Sequence, residues 1–231
     1  MRIDDLIVVE DEHLVAINKP AGLLTIPARE GTEISLKGLL QQQRQTVLKF
    51  YRNHKTPVVD TSGKNSLMHL LNANSYQKGA WILHLLRRKV GDSLFWKGIR
   101  TYYKTYEGSN ANTADFEKIF EKVTHQNLEK FFNEWLFNPG QPMLNIQWNY
   151  NKTKKSVSIK IEQTQPNLFE FPLQIAFVNE NKKVMKTIDI KNKITQKEIS
   201  IPMVPTELIT DPNVDLLFQG NVQLVSDTIR Q

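Results

Sequence analysis

Residues 72–91 read NANSYQKGAWILHLLRRKVG. From Ala80 to Leu86 every side chain but His84 is apolar. A helix that is apolar all round is expected to be buried. Arg87, Arg88 and Lys89 then crowd its last turn, where positive charge suits the negative end of the helix dipole. Gly91 follows as a helix-ending glycine. The polar entrance, Asn72 to Lys78, sets Tyr76 at the mouth of the rod. Asn74 and Lys78 flank it and read as structural. His84 reads as a core histidine, not a ligand.

Three further helices lie downstream on short loops. Asp92-Ser93 is expected to cap a helix carrying Phe95, Trp96, Ile99, Tyr102, Tyr103 and Tyr106, which Gly108 ends. Thr113 is expected to cap the next, with Phe116, Ile119, Phe120 and Val123 at helical spacing. Asn127 starts the last, with Leu128, Phe131, Phe132, Trp135 and Leu136, and Pro139-Gly140 closes it. Aromatics at this spacing are expected to form core, not a cofactor box.

After Pro142 the apolar period changes from about 3.6 to 2. Leu144, Ile146, Trp148 and Tyr150 alternate. So do Val157, Ile159 and Ile161, then Phe169, Phe171, Leu173, Ile175 and Phe177. Val184 to Ile190 and Lys197 to Ile201 continue the series. The pattern predicts a small antiparallel β-sandwich, here expected to serve as packing. The stretch after Phe218 is weakly patterned and reads as a fraying tail.

The start of the chain is different. Leu6–Val9 and Leu14–Ile17 read as strands of a hairpin around Asp11-Glu12. Leu36 begins a helical segment, and Thr46–Arg52 is helical up to Pro57. Between them Gln41, Gln42, Gln43, Arg44 and Gln45 mark a composition shift, read as a linker or a fusion point. Asp60-Thr61-Ser62-Gly63 reads as a loop before a helix capped by Ser66. The fold class is therefore α+β: a helical layer followed by the sandwich, with a short N-terminal β-hairpin. The expected divisions are 1–43, 44–142, 143–220 and a tail at 221–231.

Composition narrows the function. The 231 residues hold 30 Lys and Arg against 24 Asp and Glu, a net charge of +6. Much of the excess is dispersed among the strands, so no nucleic-acid partner is expected. There is no cysteine, which removes disulfides and thiolate metal sites. The N-terminus is acidic where a secretory signal is basic. No apolar run approaches the roughly 18 residues of a membrane span. The expectation is a soluble protein without a membrane partner, cytoplasmic by default.

Tyr76-x-Lys78-Gly79, Leu83-His84-Leu85-Leu86-Arg87, Val90-Gly91-Asp92, Asn112-Thr113-Ala114-Asp115-Phe116, Phe131-Phe132-x-x-Trp135-Leu136 and Pro139-Gly140-x-Pro142 occur in an order and spacing that resembles the zinc aminopeptidases of the alanyl-aminopeptidase and leukotriene-hydrolase type. The resemblance covers about residues 44–218. It implies the helical end of a thermolysin-like catalytic domain and a following β domain. It also implies peptide substrates cleaved from the N-terminus, and a zinc cofactor. In that family the tyrosine of Y-x-K-G hydrogen-bonds the oxyanion of the tetrahedral intermediate, and Tyr76 matches it. The family's zinc is held by H-E-x-x-H and a later glutamate, and a G-x-M-E-N strand binds the substrate amine. Neither motif occurs in the sequence, and none of His13, His54, His69, His84 or His125 precedes a glutamate. The resemblance thus implies the C-terminal portion of such an enzyme, expected to bind no zinc and to be inactive alone.

The run VEDEHLVAINKPAGLLTIP, residues 9–27, is similar to the opening of RluA-type pseudouridine synthases and covers about residues 3–43. That family's nucleophilic aspartate lies in H-R-L-D-x-x-T-S-G. Here Asp60-Thr61-Ser62-Gly63 has no H-R-L-D before it, so Asp60 is not expected to be a nucleophile. An RNA-modifying enzyme is one alternative function. A non-catalytic interaction module, using apolar surface left exposed by a partial core, is the other.

Overall fold

The computed structural model describes residues 7–10, 15–17, 36–61, 71–180 and 182–225. Strands β1 (Ile7–Glu10) and β2 (Val15–Ile17) pair antiparallel, within a residue of where β-branched runs place them. The polar turn between them, the Lys19-Pro20-Ala21-Gly22 stretch and Ser66 lie outside the described residues.

Helix α1 runs unbroken from Leu36 to Asn53. It passes straight through Gln41–Gln45, so the expected linker and the division at 43/44 fall inside one helix. The physical reason is that Gln and Arg are good helix formers. Gln41, Gln42 and Gln45 lie on the exposed face, while Val47 and Leu48 are buried.

The helical layer continues with a π-helical turn, Asn74–Lys78, that runs directly into α2 (Gly79–Val90). Then come α3 (Asp92–Tyr106), α4 (Thr113–Thr124) and α5 (Glu129–Phe132), the last extended by a second π-turn, Asn133–Phe137. Helix α2 buries Trp81, Ile82, Leu85, Leu86 and Val90. It is not buried all round, as its composition suggests. Ala80 is exposed, and Leu83 and His84 are only half-buried. An apolar run fixes how much surface wants cover, not how much the fold supplies.

Two helix starts differ from expectation. Asp92 does not cap α3; the N-cap is Gly91. Asp92 instead accepts a two-pronged bond from Arg87, Nε at 2.9 Å and Nη2 at 2.7 Å. That bond holds its carboxyl below the usual carboxylate range. Helix α4 is capped by Asn112, not Thr113. The Asp115 N–H donates to Asn112 Oδ1, and the Asn112 N–H donates to Asp115 Oδ2. This reciprocal capping box satisfies two otherwise orphaned donors.

Aromatic rings fill the layer. Phe95 meets Phe120 at 5.8 Å, Tyr102 meets Phe116 at 5.0 Å, and Phe116 meets Phe132 at 6.1 Å between centroids. Tyr103 is the exception, 61% exposed on the outer face of α3. Helices α3 and α4 approach closely because position 98 is glycine. A Cβ there would lie 2.7 Å from the Phe120 ring. Gly140 plays the same part against α1. Its φ of +90° needs glycine, and a Cβ would meet Tyr51 Oη at 2.7 Å.

The β-sandwich follows. β3 (Met143–Asn151), β4 (Ser156–Gln163), β5 (Phe171–Val178), β6 (Lys183–Ile190), β7 (Ile194–Ser200), β8 (Glu207–Thr210) and β9 (Gln219–Leu224) form two sheets. One has order β7-β4-β3-β9, the other β6-β5-β8. All pairs are antiparallel except β3 with β9, which is parallel. The expected tail is therefore a strand as far as Leu224. Its polar sequence hid it, since β9 is an edge strand whose side chains are largely exposed. Trp148 and Phe177 meet across the two sheets at 6.4 Å. Trp135 and Phe169, 4.9 Å apart, join the sandwich to the helical layer.

Gly98→Ala should lower stability by about 1–3 kcal/mol, the usual cost of forcing atoms into a packed core. Urea unfolding would measure it; an unchanged midpoint would mean that α3 and α4 can separate freely.

Candidate active site

Tyr76 lies in the π-turn, where the Lys78 N–H bonds back five residues to the Ala73 carbonyl at 3.0 Å. Such turns widen a helix by one residue and are frequent at functional sites. Nothing in the sequence pattern announces one. Its frame is set by asparagines. Asn72 Oδ1 accepts the N–H groups of Asn74 and Ser75 at 2.8 and 3.3 Å. Buried Asn74 donates its side-chain amide to the carbonyls of Thr56 and Pro57 at 2.9 and 2.8 Å. The turn is thereby tied to the segment that follows α1, and the structural role expected of Asn74 is filled.

Two residues apart, Tyr76 and Lys78 have opposite surroundings. Tyr76 is 60% exposed and Lys78 is 1% exposed. The phenol faces solvent, beside exposed Ala80 and not far along the chain from Leu71, itself 59% exposed. Lys78 Nζ is buried, with no hydrogen-bond partner among the described residues. Burial alone pulls its pKa down to about 8, since taking an ammonium out of water disfavours the charged form.

His84 sits on the next turns of α2. Its Nε2 stands 3.4 Å from Asp215 Oδ1, a polar contact rather than a formed hydrogen bond. Its ring meets Trp81 edge-on at 5.7 Å. Burial lowers its pKa, and Asp215 opposes that. It is therefore a half-buried residue at a junction, not a core one.

Asp211 and Asp215 went unnoticed in the sequence, although Asp-Pro-Asn is turn chemistry. Asp211 pairs with Arg44 at 3.2 Å. Burial raises its carboxyl to about 6, against the N–H groups of Asp215 and Leu216 and the Arg44 charge. Asp60 and Thr61 lie in the loop after α1, and the Ser62-Gly63 that completes D-T-S-G lies outside the described residues.

Among the described residues no three His, Asp or Glu side chains converge as a metal site requires, and the sequence has no H-E-x-x-H. No helix among the described residues is long and apolar enough to cross a membrane.

Comparison with known proteins bears on this arrangement. Residues 27–135 match the model of the peptidase family M1 domain. The glutamyl aminopeptidase of Rattus norvegicus is 29% identical over 111 residues, 47% of this chain and 12% of that protein. Aminopeptidase N of Escherichia coli K12 is 28% identical over 91 residues, 39% of this chain and 10% of that protein. In fold, the chain is similar to Legionella pneumophila aminopeptidase A, crystallised in complex with aspartic acid. The TM-score is 0.65 at 15% identity, covering 78% of this chain and 21% of that one.

This M1 segment thus spans about a tenth of the curated relatives it matches. The chain carries a portion of an aminopeptidase-like protein, with the α+β fold of that class. M1 aminopeptidases are zinc-dependent and act on peptides. The match begins at residue 27, inside the stretch that resembles a pseudouridine synthase. The comparisons give no support to an RNA-modifying enzyme or a non-catalytic interaction module.

Lys78→Met should stabilise the fold at pH 7 by roughly 3 kcal/mol at most, from the shift between 10.5 and about 8. Between those two pH values the unfolded chain holds more protons than the folded one. Wild-type stability therefore rises with pH across that window, and the advantage of Lys78→Met shrinks. Denaturation at pH 7 and pH 10.5 tests this; an equal effect at both would show that the ammonium is not the cause.

Proposed function

We propose that this chain supplies the oxyanion-stabilising part of an M1 aminopeptidase active site, with Tyr76 as the donor. The observation that carries this reading is the exposed phenol of the Y-x-K-G segment. It is held on a braced π-turn at the start of α2. A phenol aimed at a developing oxyanion lowers the barrier more than it lowers the ground state, because the charge it meets forms only in the transition state. Removing one such donor typically costs about 10²–10³ in kcat.

The substrate class is a peptide cleaved at its N-terminus, as the family resemblance implies. The residues present do not fit the family's zinc: the sequence lacks the ligand motif, and the described side chains form no alternative cluster. No step is therefore derived through a metal for this chain, and alone it does not hydrolyse peptides. The division of labour proposed is a helical part, from α1 to the turn ending at Phe137, that bears Tyr76, and the β3–β9 sandwich that supports it. A chain without cysteine suits a reducing compartment such as the cytoplasm.

The test is zinc content and turnover of an aminoacyl anilide by the purified chain. The expected result is substoichiometric zinc and no turnover above buffer. Stoichiometric zinc, with turnover that Tyr76→Phe abolishes, would overturn the reading of this chain as inactive alone while confirming the role of Tyr76.

A further inference from the structure

The turn Asp211–Leu216, between β8 and β9, makes more directed polar contacts to the helical layer than any simple packing role requires. It is first fixed to the sandwich. The Asp211 N–H donates to the Gln174 carbonyl at 2.8 Å, and Asn213 Nδ2 donates to Gln174 Oε1 at 2.8 Å. Asp211 Oδ1 and Oδ2 then accept the N–H groups of Asp215 and Leu216 at 2.7 and 3.2 Å. Asp211 and Val214 adopt left-handed φ of 48° and 60°. For a valine that conformation is unfavourable, and it persists because Val214, Leu216 and Leu217 are buried around it.

From this fixed base the turn reaches two helices. Toward α1, Asp211 pairs with Arg44 at 3.2 Å, and the Pro212 carbonyl accepts from Lys37 Nζ at 2.6 Å. Toward α2, the two Asp215 oxygens separate. Oδ1 stands 3.4 Å from His84 Nε2, and Oδ2 stands 3.3 Å from Arg88 Nη2. His84 and Arg88 are one helical turn apart, so a single carboxylate grips one edge of α2. The Arg44 guanidinium lies over the rings of both Trp81, on α2, and Phe218, beside β9, at 5.9 and 5.4 Å. One cation thus touches α1's partner helix and the sandwich at once.

We propose that the Asp211–Leu216 turn is a clamp through which the β-sandwich holds α1 and α2 in register, with Asp215 as the positioning residue for α2, the helix that follows the Tyr76 turn. The sandwich then does more than cover the helical layer. It sets where the π-turn sits. This coupling stands on contacts among the chain's own residues, whether or not Tyr76 meets a substrate. A failure of the catalytic reading would leave it untouched.

Amide hydrogen exchange on the whole chain tests it. In Asp215→Ala, amides of residues 74–90 should exchange on the order of tenfold faster, while those of β5 keep their wild-type rates. Asp215→Glu, which keeps the charge, should restore most of the protection. A rate change spread equally over α2 and β5, or none in 74–90, would overturn the proposal. Should Asp215→Ala fail to fold, Asp215→Asn retains the shape and one acceptor, and the same contrast between 74–90 and β5 decides the matter. Lys154→Ala, which breaks the exposed pair with Glu198, is the control and should change neither segment.

Discussion

One apolar core runs through the helical layer and the β-sandwich without a break. It starts among Trp81, Leu85 and Leu86 of α2 and passes through Phe120 and Phe132. It crosses at the Trp135–Phe169 contact and ends between the sheets at Trp148 and Phe177. Helical layer and sandwich cannot be separated without exposing the rings at that crossing. Burial of an aromatic side chain contributes roughly 1.5–3 kcal/mol, so the seam is a substantial part of what makes the chain fold as one unit. Two glycines, Gly98 and Gly140, permit the close approaches on which the core depends.

Polar groups at the same seam follow a different logic. Arg44 and Asp211 are a buried pair, and burial pushes both toward neutrality: the guanidinium pKa falls and the carboxyl rises to about 6. Such pairs often contribute little net stability against apolar replacements, yet breaking one partner is costly. What they supply is direction. A hydrophobic seam tolerates sliding, whereas a guanidinium stacked on Trp81 and Phe218 and paired with Asp211 fits in one position only. Glu134 does similar work at the other end of the seam. It is buried and accepts the Glu170 N–H at 2.8 Å, while Lys130 pairs with the Glu170 carboxylate.

Around Tyr76 the molecule departs from the rule that local preference and global packing agree. A buried ammonium with no partner among the described residues costs stability, and an apolar helix with an exposed Ala80 and half-buried Leu83 leaves surface uncovered. Departures of this kind concentrate at functional sites. Here they surround the one residue that family resemblance singles out. The braced asparagines show that the turn is built, not merely tolerated.

The sequence determined the type of nearly every element. Apolar spacing of 3.6 and then 2 marked the helices and the main strands, because side-chain direction repeats with those periods in any helix or strand. Spaced motifs likewise marked the likeness to aminopeptidases. The sequence did not determine the edge strand β9, the π-turns, the capping by Asn112 or the continuity of α1 through Gln41–Gln45. Nor did it reveal the meeting of Arg44, His84 and Arg88 with Asp211 and Asp215. Each of these depends on a partner distant in the chain or on a backbone hydrogen bond that many side chains allow equally. Only tertiary packing, which brings residue 44 beside residue 211, could choose among them.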